Sequence, residues 1–377
     1  MKNLLLPLLV LLLLAACGRG GNIAVESFTD TLYSPRHATG FAILAASDSE
    51  SVLVESRSPW QGADSATISR LLIIRGGQSA PEGFSGQKIE GEARRIVCMS
   101  STQIAMLDAL DALDRVVGVS GLRFISNPKI QAGKDTIADV GYDSAIDYEL
   151  LLSVNPDLVM LYGVDGSHPM EPKLRELAIP FIYVGEYLEE SPLGKAEWMV
   201  PVGEIIGKRE EAEKIYAKIP ERYDSLKTLA RNMPRKPKVM LNTPYNDSWV
   251  MPSVKSYGVT LITDAGGEYL YPQNTSSSSV PVDLEQAYLL MNRADAWINL
   301  GQYDSAADII RALPKFADTK PVVSGNLWNN NLRSTPGGGN DYWESGIVHP
   351  DLILRDLIKI FHPSALPGEP FVYYKKL

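Results

Sequence analysis

Residues 208–232, KREEAEKIYAKIPERYDSLKTLARN, constrain the fold of this chain more than any other stretch. Their apolar residues Ala212, Ile215, Tyr216, Ile219, Tyr223, Leu226, Leu229 and Ala230 recur at steps of three and four, the period of one helical face. Glu210, Glu211 and Glu213 crowd the first turn, and Lys227 and Arg231 the last, which complements the helix dipole. At about 1.5 Å per residue such a helix spans roughly 35 Å, enough to bridge two lobes. Pro220 removes one backbone hydrogen bond inside the pattern, so a kink is expected there.

On either side of this segment the text alternates strands with helices. The first half runs RRIVCMS, a capped helix SSTQIAMLDALDAL, RVVGVSG, a loop GLRFISNPKIQAGKDTIADVGY, a helix over residues 146–154, DLVMLYG, MEPKLRELA, PFIYVGEY and a closing helix over 193–206. The second half runs KPKVMLNTPY, SYGVTLITDAGG, VDLEQAYLLMN, ADAWINLG, YDSAADIIRAL, a last strand KPVVSGN and a terminal helix HPDLILRDLIKIFHP. Strands joined by helices in this way predict parallel sheets covered on both faces. One unit occurs in both halves: Asp147-Tyr148-Glu149 opens a helix that feeds DLVM, and Asp283-Leu284-Glu285 opens one that feeds DAWI. The duplication predicts two similar lobes with a cleft between them.

Length agrees, since 377 residues exceed one typical core. Before the first lobe, residues 28–74 read as strands (TGFAILAAS, SESVLVES, ATISRLLIIRG), a small antiparallel sheet, and residues 76–91 as a loop or linker. The chain opens on MKNLLLPLLVLLLLAA, an apolar run typical of an export signal and short for a membrane span. It ends in Leu14-Ala15-Ala16-Cys17, which resembles the lipobox of bacterial lipoproteins and predicts lipidation of Cys17 and a membrane anchor. The expected division is therefore a signal over 1–16, anchor, spacer and β-rich extension over 17–91, a lobe over 92–207, the bridge over 208–232 and a lobe over 233–377.

A net charge of −9 with no basic stretch argues against nucleic acid as a partner. The two cysteines, Cys17 and Cys98, offer no disulfide framework, and Cys98, inside a strand, reads as a small buried apolar residue. No G-x-S-x-G elbow, phosphate loop or histidine pair at metal spacing occurs, so no catalytic residue, metal site or cofactor is assigned. His168 is the one histidine expected near the cleft.

The order of RRIVCMSSTQIAMLDALDALDRVVGVSG, DYELLLSVNPDLVMLYG, AEWMVPVGEIIGKREEAEKIY and NDYWESGIVHPDLILRDLIKIFHP resembles the bacterial substrate-binding lipoproteins of ABC importers for ferric siderophores, haem and cobalamin. The β-rich preface resembles an elaboration of relatives in the Bacteroides group. The resemblance covers residues 94–363. It implies an α/β fold of class III, two Rossmann-like lobes bridged by one long α-helix, here with the β-rich extension. It implies capture of an iron chelate, or alternatively cobalamin, another corrinoid or haem, by a monomer facing the periplasm and anchored in the cell envelope. The implied partner is a permease dimer with its ATPase subunits. The family's docking glutamates fall, by position, on Glu149 and Glu285. Two widely spaced carboxylates on one surface would fix orientation more than add affinity, and both also suit their helix N-termini.

In doubly wound lobes ligands sit beyond the carboxyl ends of the strands. The loops there nominate Ser101, Thr102, Arg123, Phe124, Tyr142 and Tyr162 in the first lobe, and Tyr245, Trp249, Tyr271, Trp328, Asn330 and Arg333 in the second. Aromatic, amide and guanidinium groups suit a large flat or greasy chelate. The glycines of NNNLRSTPGGGND predict a mobile loop over the cleft, and Trp343 is expected to pack under the terminal helix. The competing classes are an exported α/β enzyme and a surface lipoprotein that binds another protein. A concave aromatic cleft favours capture, and a flat apolar patch favours the latter.

Overall fold

The computed structural model describes residues 25–142 and 145–377. The expected export segment and Cys17 lie outside the described residues.

The extension forms a five-stranded sheet of β1 (Phe28–Tyr33), β2 (Phe41–Ala46), β3 (Val52–Arg57), β4 (Ile68–Ile74) and β5 (Gln87–Glu90), in that order. β1 to β4 pair antiparallel, as expected, but β5 falls in the stretch read as a linker and pairs parallel to β4. Its Ile89 is buried between exposed Lys88 and Glu90, a period of two too short to stand out beside the neighbouring glycines.

The first lobe is built on β6 (Ile96–Cys98), β7 (Val116–Val119), β8 (Ala138–Asp139), β11 (Leu158–Leu161) and β12 (Phe181–Tyr183), with a small hairpin of β9 (Gly141–Tyr142) and β10 (Ala145–Ile146). The sheet is parallel throughout, in the order β12-β11-β6-β7-β8. β6, β11 and β12 are apolar and buried at every position because helices cover both faces. Those helices are α1 (Ser101–Ala109), α2 (Pro128–Ala132), α3 (Tyr148–Ser153), α4 (Glu171–Glu176), α5 (Pro192–Glu197) and α6 (Met199–Ile205). The single closing helix expected over 193–206 is thus two short helices that meet at Trp198.

The amphipathic segment is one helix, α7 (Arg209–Arg231), and it runs unbroken through Pro220. Ala212, Tyr216, Ile219, Tyr223 and Ala230 are its buried stripe. It touches both lobes. At its start Arg209 pairs with Glu204 at 2.8 Å and Lys208 donates to the Leu110 carbonyl at 2.6 Å. Farther on, Arg222 pairs with Asp351 at 2.5 Å, and Tyr223 and Lys227 both reach Asp264, at 2.9 and 2.8 Å.

The second lobe carries β13 (Lys238–Leu241), β15 (Glu268–Tyr269), β17 (Ala296–Ile298), β18 (Leu327–Asn329) and β19 (Lys375–Lys376) in the order β15-β13-β17-β18-β19, with β14 (Ser248–Met251) paired to β16 (Val280–Asp283) outside it. Only β19 is antiparallel in the main sheet, added by the end of the chain. The helices are α8 (Tyr257–Asp264), α9 (Leu284–Met291), α10 (Ala306–Ala312), α11 (Lys320–Val323), α12 (Ser345–Val348) and α13 (Pro350–Phe361). KPVVSGN, expected as the last strand, is α11 and its exit. Pro321 lacks a donor for a sheet but suits a first helical turn, and Val323 N–H closes that turn on the Thr319 carbonyl at 3.0 Å. The parallel strand expected there is β18.

A continuous apolar core runs from Phe41 and Val54 of the extension through Met106 and Tyr216 to Trp297 and Leu354 of the second lobe. Cys98 is a free, buried thiol in it, pushed up to about 12 by burial. Among the described residues no helix is long and apolar enough to cross a membrane.

Candidate functional site

In each lobe the strand order reverses once, between β11 and β6 in the first and between β13 and β17 in the second. Loops leaving the carboxyl ends of such strands diverge and leave a crevice. Here a cavity of about 910 Å³ opens between the lobes, and Ser100–Thr102 after β6 face Leu241, Asn242 and Asn299 at the ends of β13 and β17 across it. Asn242 and Asn299 both adopt left-handed backbone, with φ of 65° and 58°. Asparagine tolerates this conformation at a sharp exit from a strand.

Hydrogen bonds fix the first-lobe wall. Ser100 caps α1, and Gln103 returns its side-chain oxygen to the Ser100 N–H, a complete capping box. Thr102 Oγ1 donates to Glu186 Oε1 at 2.5 Å. Glu186 follows β12 and is 3% exposed, and its Oε2 has no hydrogen-bond partner. Burial raises its carboxyl above the ordinary range, against the opposing Thr102 hydroxyl and Lys195. Lys195 is also buried, and its Nζ donates to the carbonyls of Glu186 and Tyr187 at 2.9 and 2.7 Å. Burial pushes this ammonium down to about 8 although Glu186 and Glu189 hold it up.

The extension supplies another wall, which sequence reasoning did not anticipate. Ser58, Trp60, Gln61, Gly62 and Ala63 of the β3–β4 loop line the cavity. Trp60 packs edge-on to Tyr183 at 5.4 Å, and the Gln61 N–H bonds the Val164 carbonyl at 3.0 Å. The only sequence signal was a tryptophan set in a turn, Ser58-Pro59-Trp60-Gln61-Gly62. Two carboxylates clamp the extension: Glu197 accepts the N–H groups of Arg36, His37 and Ala38, and Glu189 those of Thr39 and Gly40.

Of the nominated residues, Ser101 and Thr102 line the cavity and the others lie elsewhere. Arg123, Phe124 and Tyr142 form a separate cluster, with the guanidinium 4.4 Å from the Phe124 ring centre and that ring 5.2 Å from Tyr142. Tyr162 packs against His168, and His168 is buried with Nδ1 accepting the Met170 N–H at 3.2 Å, a helix-entry role. Tyr245 is exposed at a β-turn tip, and Tyr271 packs on the core. Trp249 is not at the cavity: it is fully buried, donates to the Leu241 carbonyl at 3.0 Å and packs on Trp297 and Phe316. Trp328 packs at a tilt against Phe371 from the chain end, Asn330 is buried just after β18, and Arg333 pairs with Asp341 at 3.0 Å. Trp343, expected under the terminal helix, instead lines the cavity and is half exposed.

The glycine-rich loop is not a flap over the cleft. Thr335 N–H bonds the Gly339 carbonyl at 2.8 Å, and the turn lies against the first lobe so closely that a Cβ at Gly337 or Gly339 would collide with the carbonyls of Arg123 and Phe124. A more open recess of about 1200 Å³ lies at the amino ends of the first-lobe strands, the opposite edge of the sheet from the cavity. Several of its charges are paired within the protein, as in Arg75–Glu204 and Arg94–Glu92.

Residues 96–327 match the family described as periplasmic binding protein. The chain belongs to that family. The family is one of substrate-binding proteins. This binding protein is 26% identical over 296 residues to an uncharacterized lipoprotein of Methanocaldococcus jannaschii, covering 75% of this chain and 68% of the other. Its fold matches a periplasmic binding protein from Veillonella parvula (TM-score 0.61, 16% identity, 83% of this chain and 98% of that one). It also matches a periplasmic heme binding protein from Pseudomonas aeruginosa (TM-score 0.57, 18% identity, 74% and 95%).

Proposed function

We propose that the protein captures a metal chelate, an iron chelate of the siderophore type, in the cleft between its lobes and delivers it to an ABC importer. The observation that carries this reading is the cavity of about 910 Å³ where the strand-order reversals of the two lobes face one another. Its lining of hydroxyls, amides and the rings of Trp60, Tyr187 and Trp343 suits a ligand that brings its own metal donors. Among the described residues no group of three or more His, Cys, Asp and Glu gathers to hold a bare ion. The heme binding by the Pseudomonas aeruginosa neighbour keeps haem, with corrinoids, among the cargoes to be distinguished. Lipidation of Cys17 would hold the protein at the envelope, in line with its lipoprotein relative.

The test is a parallel titration of the chain beginning after Cys17 with ferric siderophores, haemin and cobalamin, followed by tryptophan emission and by calorimetry. Saturable binding of one class at micromolar or lower concentration is expected. Silence in both readouts from all three classes overturns the reading and favours a protein-binding role.

A further inference from the structure

The charge around the cavity is lopsided. Among the described residues its lining holds three carboxylates, Glu186, Glu189 and Glu190, against one ammonium, Lys195. Their commitments differ. Glu189 is occupied by the N–H groups of Thr39 and Gly40 and by the Trp198 indole at 3.0 Å. Lys195 spends two N–H groups on the carbonyls of Glu186 and Tyr187. Glu190 is exposed at the rim. Glu186, only 3% exposed, receives one bond from Thr102 and keeps Oε2 without a partner.

A buried carboxylate oxygen without a donor is costly and is relieved by any donor brought to it. An anionic ligand in the same cavity meets three carboxylates and a single ammonium, Lys195, that already donates to two carbonyls, and like charges brought together inside a desolvated site select against it. We infer that the cleft takes neutral or cationic chelates and rejects anionic ones, with Glu186 receiving an N–H or ammonium group of the ligand. This rests on the chelate-capture reading and narrows it: uncharged hydroxamate siderophores and corrinoids with amide side chains fit, whereas tris-catecholates, ferric citrate and haem with its propionates do not.

The test varies charge on a constant core. Ferrioxamine B carries a free ammonium, its N-acetyl derivative is neutral and its N-succinyl derivative ends in a carboxylate. Aquocobalamin, cyanocobalamin and a cobalamin monocarboxylate form the matching corrinoid series, and haemin and ferric tris-catecholate complete the panel. Affinity should fall in the order cationic, neutral, anionic, by about tenfold or more between the ends of the series that binds. E186Q should compress that span several-fold, and E190Q, at the exposed rim where no packing is at stake, by about twofold. Equal or tighter binding of the anionic member, haemin or tris-catecholate as the tightest ligand, or an unchanged span in folded E186Q overturns the inference while leaving chelate capture standing. Should E186Q not fold, the wild-type series and E190Q decide alone. If nothing in the panel binds, the capture reading itself fails, and this inference with it.

Discussion

The Glu344 carboxylate accepts the Ser126 backbone N–H at 2.7 Å and so ties the second lobe to the first through a contact that does not involve α7. Nearby, α12 packs on α1, so the lobes are joined by more than the bridging helix.

This tie is pH-sensitive. Burial pushes Glu344 up to about 7, the Ser126 and Asn127 N–H groups oppose the shift, and Asp341 and Asp108 add to it. Asp341 faces Arg333, and Asp108 faces Lys129, at 3.0 and 2.8 Å. With a folded value above the unfolded one near 4.5, the native state holds its proton more tightly, so the contribution is complete below about pH 4.5 and is lost as pH rises through about 7. Urea unfolding between pH 5 and 8 should show a fall on the order of 2 kcal/mol from this group. E344Q, which keeps an acceptor and has no charge, should flatten it. The same slope in both proteins would falsify the assignment.

Tryptophan emission should be read from the right residues. Trp343 is half exposed on the cavity wall and Trp60 lines it from the extension, whereas Trp249 is sealed in the second-lobe core. W343F should remove most ligand-dependent quenching at little cost to stability. W249A should keep the quenching in whatever fraction folds and lose about 3–5 kcal/mol, the usual cost of truncating a buried aromatic ring. Quenching that survives W343F and W60F together would place the ligand elsewhere.

Glu197 holds the extension. Its carboxylate takes the N–H groups of Arg36, His37 and Ala38 at 2.7–2.8 Å and the Tyr33 hydroxyl at 2.6 Å. E197A leaves these donors without their acceptor, and hydrogen bonds to a charged group contribute about 1.5–3 kcal/mol each, so a loss on the order of 3–5 kcal/mol is expected. Limited proteolysis should then cut between Tyr33 and Gly40 first. Since Trp60 and Gln61 ride on the same sheet, ligand affinity should fall with it. An extension that stays protected in E197A would show that core packing, not the clamp, holds it.

The two lobes and the bridge were legible because periodicity and the repeated Asp-x-Glu helix starts are local signals. Both starts form as expected, with Asp147 capping α3 and Asp283 capping α9. The cavity lining was legible only where it follows a strand directly, as at Ser101 and Thr102. Trp249 shows a signal read wrongly: it alternates with Ser248 and Val250 along β14, and that period of two placed it inside. Trp328 and the Trp60 wall could not be read, since one depends on Phe371 in the tail and the other on a loop from a different sheet. Glu186 reads as one acid among several in GEYLEE; Glu189 is buried beside it, and only the unpartnered Oε2 of Glu186 sets it apart.

Glu149 and Glu285 occupy the same place in the duplicated unit, two residues after the capping aspartate, and both are exposed. The caps are tight, with Asp147 accepting the Leu150 N–H at 2.9 Å and Asp283 the Gln286 N–H at 2.7 Å, so each helix start is satisfied without its glutamate. Replacement by alanine should therefore leave folding and ligand affinity close to wild type. Glu285 already pairs with Lys315 at 2.5 Å, whereas no ion pair among the described residues engages Glu149. On the proposed delivery to an importer, a basic partner surface docking at both sites would have to compete with Lys315 at one and would meet a free carboxylate at the other, so E149A should weaken import more than E285A, and the double variant most. The effect should lie in the association rate and shrink as salt is raised, as for exposed steering charges. Uptake in cells beside calorimetric titration of the purified variants reads both quantities. A parallel loss of ligand affinity would move these glutamates from docking to the binding site.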